Sequence, residues 1–398
     1  MSTGSDQRIG IGVIGLGMAG GVMVPVIAAH PRLRLVAAAD LNPVLRERFA
    51  RDHGVPAFDD VAALVARDDV EAVYVATPHA LHARHVLLAL AHGKHVVVEK
   101  PMGLTLAECD AMIAAADAAK ATMIVGHTHG FDPAIARIRD LVEEGAVGEP
   151  VLVNLFNYTN FLYRPRRPEE LDPAQGGGVL WNQLPHQIDV ARTVIGRPIR
   201  SVRAMTAALD PARRVDGLVS VFAEFDGGAT AMLVYSGYDR FDSDEFSEWI
   251  GASGQAKQPA HGATARALPN DATDEVDARQ TRWGYGGDSM RPVPAAGLPH
   301  FGQLIVSCVN ADIRQSPRGL IVYDRDGMRE VPVAATAARP GHAAVFDELW
   351  AALRGGAPAV HDGRFGRATI EACLAIAESA RLGAEVGLNV AMGVEVTG

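Results

Sequence analysis

The chain has little cysteine, no long apolar run and no excess of positive charge. Its three cysteines, Cys109, Cys308 and Cys373, are odd in number and scattered over 398 residues. That usage suits reduced thiols in a cytoplasm, not a disulfide framework. No apolar stretch approaches the roughly 18 residues a membrane-spanning helix needs. The opening Met1 to Gln7 is polar and lacks the basic start and apolar core of a signal peptide. A formal net charge of −10 counts against nucleic acid as a partner, so an anionic substrate would need a local basic patch. What remains is an ordinary globular composition, 48% hydrophobic and 21% charged, long enough for two domains.

The first 150 residues alternate strands and helices. Ile9 to Ile14 reads as a strand and runs into Gly15-Leu16-Gly17-Met18-Ala19-Gly20. In this G-x-G-x-x-G pattern Gly15 permits the tight turn, and Gly17 lets backbone approach a pyrophosphate. Gly20 lets the helix pack close to the strand. A second strand, Leu33 to Ala39, ends at Asp40, twenty residues after Gly20. An acid there accepts from the ribose hydroxyls of a dinucleotide and repels a 2′-phosphate. Leu41-Asn42-Pro43 follows with no immediate arginine, so NAD is favoured over NADP.

Helix 43–53, strand 71–76, helix 81–92 and strand 95–98 come next, then a helix opened by a capping box of Thr105 and Glu108. Strand 121–125 and helix 133–144 complete the alternation, which makes a doubly wound parallel sheet. The strand of His95 to Val98 is too continuously apolar for an edge. It delivers Glu99 and Lys100 into Pro101, which disfavours a helical Lys100 and holds the ammonium at the carboxyl end of the sheet. His79 and His82 lie just past the strand ending at Thr77-Pro78. Each is either a contact to the nicotinamide or a hydrogen-bonded loop residue.

From 151 to 398 the pattern changes. Strands 151–158, 201–209, 218–225 and 229–236, with turns at Gly227-Gly228 and Asp326-Gly327, describe an α+β domain on a large, mostly antiparallel open sheet. A helical stretch, Asn182 to Ile195, interrupts the strands. The irregular segment 253–300 reads as a lid, an oligomer arm or disorder, and helices return over 343–384. Gly176-Gly177-Gly178 precedes Asn182, His186 and Asp189, which a helix would set on one face at i, i+4 and i+7. Histidine titrates near neutrality, as a proton acceptor from a hydroxyl should. A fixed Lys100 beside that hydroxyl would favour the alkoxide.

Gly15 to Gly20, Thr77-Pro78 with His82, Gly93-Lys94-His95 leading to Glu99-Lys100-Pro101, and Gly176 to Gly178 with His186 and Asp189 together resemble the Gfo/Idh/MocA oxidoreductases. The resemblance covers nearly the whole chain. It implies an N-terminal Rossmann domain, a C-terminal open-sheet domain used to form a homodimer or homotetramer, and a lysine and a histidine facing the nicotinamide. The family commonly carries an aspartate four residues before the histidine. This chain has Asn182 there, which weighs against a plain polyol substrate.

Segments 126–133, 163–170, 182–186 and 237–244 are further similar to the family's phthalate 4,5-cis-dihydrodiol dehydrogenases. Tyr163-Arg164-Pro165-Arg166-Arg167-Pro168 supplies three guanidinium groups that suit a dicarboxylate, or else a solvated turn balanced by Glu169 and Glu170. The expected cofactor contacts are therefore Gly15, Gly17, Met18, Ala19, Gly20, Asp40, Leu41, Thr77, Pro78, His79, His82, Glu99 and Lys100. Lys100, His186 and Asn182 are the expected catalytic group. Substrate contacts are expected from His127, His129, Tyr163, Arg164, Arg166, Arg167, Asn182 and His186, with no metal, membrane or nucleic acid involved. A sugar or cyclitol dehydrogenase, and a nucleotide-sensing regulator without catalysis, are the competing readings.

Overall fold

The computed structural model describes residues 7–268, 275, 278–279, 282–288, 293–334 and 339–388. Parts of the irregular 253–300 segment thus lie outside the described residues. The first sheet holds β1 (Ile9–Ile14), β2 (Leu33–Ala39), β3 (Ala57–Phe58), β4 (Ala72–Val75), β5 (His95–Glu99) and β6 (Met123–Gly126). All pairings are parallel, in the order β3-β2-β1-β4-β5-β6. Every residue of β1 and β4 is buried, as a sheet covered on both faces requires. Helices α1 (Met18–Ala29), α2 (Pro43–His53), α3 (Val61–Val65), α4 (His82–Ala91) and α5 (Leu106–Ala119) connect the strands. The Thr105–Glu108 capping box forms at the start of α5. Because β1 pairs with both β2 and β4, the strand order reverses there and opens a crevice at the strands' carboxyl ends.

After β6 the chain forms α6 (Pro133–Glu143), β7 (Pro150–Tyr158), α7 (Val179–Asn182) and α8 (Leu184–Ile195), then β8 (Ile199–Ala207), β9 (Leu218–Phe225) and β10 (Thr230–Ser236). Later come β11 (Gln303–Cys308), β12 (Ala311–Ser316), β13 (Gly319–Asp324), β14 (Gly327–Pro332) and β15 (Val386–Gly387). These nine strands make one sheet, β14-β13-β12-β11-β7-β10-β9-β8-β15, in which β7 and β10 are the parallel pair. Gly227 and Gly228 both adopt positive φ (84° and 87°), which the hairpin turn between β9 and β10 requires.

One face of this sheet carries α8. The other is open. Along it Phe222, Met232 and Ile305 stand in a lateral row, each close to two-fifths exposed. The last helices tie the two sheets together. Phe346 and Leu349, from the helix Pro340–Trp350, join the core of β1, β4 and β5, whereas the helix Gly363–Leu382 packs between α5 and β8.

The stretch read as one helix from Asn182 to Ile195 is two. Gln183, at φ −119° and ψ −41°, closes α7, and α8 starts afresh at Leu184 with Pro185 in its first turn. Proline has no N–H to donate and is tolerated there, where that donor would be orphaned anyway. Asn182 and His186 therefore do not share a continuous helix face.

Candidate active site

The glycine turn is built for close approach. Gly15 sits at φ +97°, and a Cβ on it would come within 2.7 Å of Ala76 O. A Cβ on Gly20 would collide with Gly15 O. Gly17 is the N-cap of α1, no side chain caps it, and a Cβ there would meet nothing within 4 Å. The first amides of α1, from Met18 and Ala19, thus lack a side-chain cap at a helix start, where an anion is favoured. Asp40 faces this turn from the end of β2: its Oδ2 accepts from Leu16 N at 2.6 Å and its Oδ1 from Asn42 N at 2.7 Å. Leu41 beside it is 83% exposed. The bare helix start and the adjacent carboxylate fit the pyrophosphate and ribose of NAD.

One residue missed in the sequence is Arg46. Its Nη1 donates to the carbonyls of Asp40 and Leu41, which brings a guanidinium to the ribose end of the turn. Asp40→Ala is therefore expected to raise NADP turnover relative to NAD by about tenfold or more, because the carboxylate that repels a 2′-phosphate is gone while the Arg46 guanidinium stays close by to meet it. Adding Arg46→Ala should cancel the gain. Steady-state kcat/KM for both cofactors measures it, and an unchanged ratio would refute the role of Asp40.

At the next two strand exits the residues divide into those that hold and those that point outward. His82 is fully buried, with Nε2 2.8 Å from Thr77 O and Nδ1 2.8 Å from Pro101 O. Its ring sits between the exits of β4 and β5 instead of meeting a cofactor; burial pushes its pKa down to about 4, so the neutral ring has one N–H and donates to only one of the two carbonyls. Thr77 adjoins Gly15 and hydrogen-bonds His85 Nδ1. Glu99 likewise faces inward: one carboxylate oxygen takes the Tyr74 hydroxyl and the other accepts from Lys100 N at 3.2 Å. Burial raises the Glu99 carboxyl above its ordinary value. Pro78 and His79 line a cavity of about 220 Å³ opposite Arg167 and Gly176.

Lys100 crosses to the second domain. The Lys100–Pro101 peptide is cis, and Nζ donates to Asn182 O at 2.9 Å. Burial lowers its pKa while the Glu99 carboxylate holds it up. His186 lies in the first turn of α8, four residues after Asn182. Burial and then the Lys100 charge hold its imidazole well below the ordinary histidine value, so it is neutral and able to accept a proton. Asn182 itself donates through Nδ2 to Gly176 O and Gly178 O, fastening the glycine loop.

The turn after β6 adds His129, whose ring lies 4.9 Å from that of His186. Both rings rest against Phe301 at 4.5 and 4.7 Å. His129 Nδ1 meets Asp132 Oδ2 at 2.8 Å. His127 lies beneath, 1% exposed, with Nδ1 sealed and unpartnered. Phe301, Asp132 and Tyr235 escaped the sequence reading. Tyr235 comes from β10 and Phe301 from the bend just before β11, neither with a local motif, but the His-x-x-Asp spacing of 129 and 132 was visible.

The arginine loop is reshaped most. Arg166 is 5% exposed, donates to Phe161 O, stacks 3.7 Å over the Phe161 ring and faces Glu170; burial pulls it down to about 9. Arg167 is paired with Glu169 and Glu170. Tyr163 donates its hydroxyl to Asp210 and is pushed up to about 12. Neither Arg166 nor Tyr163 is left free for a substrate. Arg164 donates to the neutral Asn160 Oδ1, and among the described residues no carboxylate pairs with it. Arg279, from the irregular segment, bonds Glu170 Oε1 and Met18 Sδ, while Tyr285 N bonds Leu16 O, so the described part of that segment lies against the glycine turn.

A model described as an oxidoreductase family with an NAD-binding Rossmann fold matches residues 9–127, and a GFO/IDH/MocA C-terminal domain model matches residues 135–257. The chain belongs to the Gfo/Idh/MocA oxidoreductase family. Within this family it is 38% identical to the 1-carboxy-3-chloro-3,4-dihydroxycyclohexa-1,5-diene dehydrogenase of Comamonas testosteroni, over 93% of this chain and 94% of that one. It is 28% identical to the myo-inositol 2-dehydrogenase of Thermotoga maritima, over 69% and 81%. A solved chain from Bordetella bronchiseptica RB50, provisionally named a dehydrogenase, superposes with a TM-score of 0.91 at 45% identity, covering 96% of this chain and all of that one. The Gfo/Idh/MocA chain is thus an oxidoreductase with NAD as its cofactor, and no described helix is long and apolar enough to cross a membrane.

Proposed function

We propose that this enzyme oxidises a secondary alcohol of a carboxylated cyclic cis-dihydrodiol, such as 4,5-dihydro-4,5-dihydroxyphthalate, to the catechol. The observation that carries the reading is the meeting of Lys100 Nζ with Asn182 O, which sets an ammonium from the first domain beside the imidazole of His186 from the second. NAD, when bound, takes the hydride. Lys100 stabilises developing negative charge on the oxygen, and neutral His186 accepts the hydroxyl proton. The hydroxyketone so formed enolises to an aromatic ring, which makes the step effectively one-way.

The Comamonas relative's carboxylated diol supports this substrate class. Arg164 is the group we assign to the carboxylate. A cyclitol is the second reading, favoured by the inositol relatives; the neutral Asn182, spent on its own loop, disfavours it. A second copy of the chain would cover the open row of Phe222, Met232 and Ile305, which a single-chain mass in solution would disprove.

The test is NADH formation with carboxylated and neutral cis-dihydrodiols beside inositol and glucose. The carboxylated diol is expected to turn over best. Arg164→Ala should raise its KM by about tenfold or more, with little change for the neutral diol. Preference for inositol would end the reading, and equal effects on both diols would remove Arg164 from it.

A further inference from the structure

Asp132 stands at the N-cap of α6 yet caps nothing. The residue is 4% exposed, and its carboxylate turns to His129 Nδ1 instead, at 2.8 Å. An imidazole nitrogen facing a carboxylate is the one that carries hydrogen, so Asp132 fixes the Nδ1–H tautomer and leaves Nε2 with its lone pair. That Nε2 bonds no described residue and is not among the sealed, unpartnered polar atoms, so it is open to the cleft. In His186 the sealed nitrogen is Nδ1, which leaves Nε2 as the open one there too. The two rings stand nearly perpendicular, at 81°, over the same Phe301 face.

We propose that His129, held by Asp132, receives a second hydroxyl on the carbon next to the one oxidised, and so makes the site selective for a vicinal cis diol. The inference rests on the alcohol-dehydrogenase reading above. Lys100 acts on His186, which assigns the reacting hydroxyl to that ring. A cis diol holds its two oxygens on one side of the carbocycle, near enough for one imidazole each. An alcohol lacking the neighbouring hydroxyl leaves the preset acceptor on His129 unpaired in a largely dry site, which is what discriminates strongly between substrates. Phe301 fills the space beneath both rings and limits how far either can turn. Asp132 is a positioning residue here, and His129 a specificity-determining one.

The experiment compares full-length wild type, His129→Phe and Asp132→Asn, all with NAD. The substrates are a carboxylated cis-dihydrodiol and its analogue without the neighbouring hydroxyl. Wild type is expected to favour the diol in kcat/KM by about 10²-fold or more. His129→Phe should cut the diol value by about 10²-fold while the mono-alcohol stays within about threefold. Asp132→Asn should split the substrates in the same direction, and carries the test should the phenylalanine variant fail to fold. NADH affinity reports an intact cofactor site in each. Equal losses on both substrates would reduce His129 to packing and overturn the proposal. A wild type that oxidises both equally ends it and leaves the dehydrogenase reading standing; one that oxidises neither removes that reading as well.

Discussion

Lys100→Ala should lower kcat by about 10³-fold while NADH still binds with nearly unchanged affinity. The side chain is fixed at every joint. Glu99 is anchored by Tyr74 and accepts from the Lys100 backbone, the buried His82 ring sits between the Pro101 and Thr77 carbonyls, and Nζ ends on Asn182 O. A cation held this way stabilises an alkoxide without having to reorganise as the charge develops. The nucleotide cradle lies two strands away on β1 and β2, so removing the ammonium leaves the dinucleotide's contacts in place. His186→Ala should cost a similar factor by removing the proton acceptor. Because the two groups act on one oxygen, the double variant should lose little more than the worse single one. Turnover of the carboxylated diol followed at the NADH absorbance, with NADH binding titrated separately, measures all three. A Lys100→Ala enzyme that kept a tenth of wild-type turnover would break the mechanism.

Much of this cradle was legible in the sequence, because central parallel strands announce themselves as apolar runs ending in special residues. The bounds of β1, β2 and α2 coincide with those read from the pattern, as does the Thr105 capping box. The second half of the site was less legible. Pro185 was a visible sign that a helix begins near it, yet the regular spacing of Asn182, His186 and Asp189 outweighed that sign. The arginine loop failed for another reason. Glu275, a hundred residues downstream, accepts from Arg166 N and pairs with Arg213, and Arg279 reaches Glu170 from the same distant segment. No local pattern carries such long-range pairing. Asp132 was passed over for a third reason: an aspartate just before a helical proline ordinarily caps the helix, and the His-x-x-Asp spacing alone does not show that the carboxylate turns to His129 instead.

Asp189→Asn should make the protein less sensitive to alkali. Asp189 is fully buried in α8, one turn past His186, against the Gly130 backbone, and neither carboxylate oxygen completes a hydrogen bond. Burial pushes its pKa up to about 7, with the His361 and Arg192 charges and the Gly130 amide pulling the other way. Between the ordinary carboxylate value near 4 and about 7 the folded chain therefore holds a proton that the unfolded chain has released. That proton's contribution to stability is whole below the ordinary value and is lost as pH rises through 7. His361, raised chiefly by its bond to Glu348 against the burial that lowers it, works in the same direction. Asparagine keeps the shape and never ionises. From pH 5 to pH 8 the wild type should lose about 3 kcal/mol more stability than Asp189→Asn, at about 1.4 kcal/mol per pH unit across the window. Urea denaturation midpoints at both pH values test this, and parallel pH dependence in the two proteins would show that the carboxyl is ionised throughout. Asp189 also packs behind the turn carrying His129, so an Asn variant that gains alkaline stability and keeps its diol preference would assign the buried acid to stability and the two imidazoles above it to the substrate.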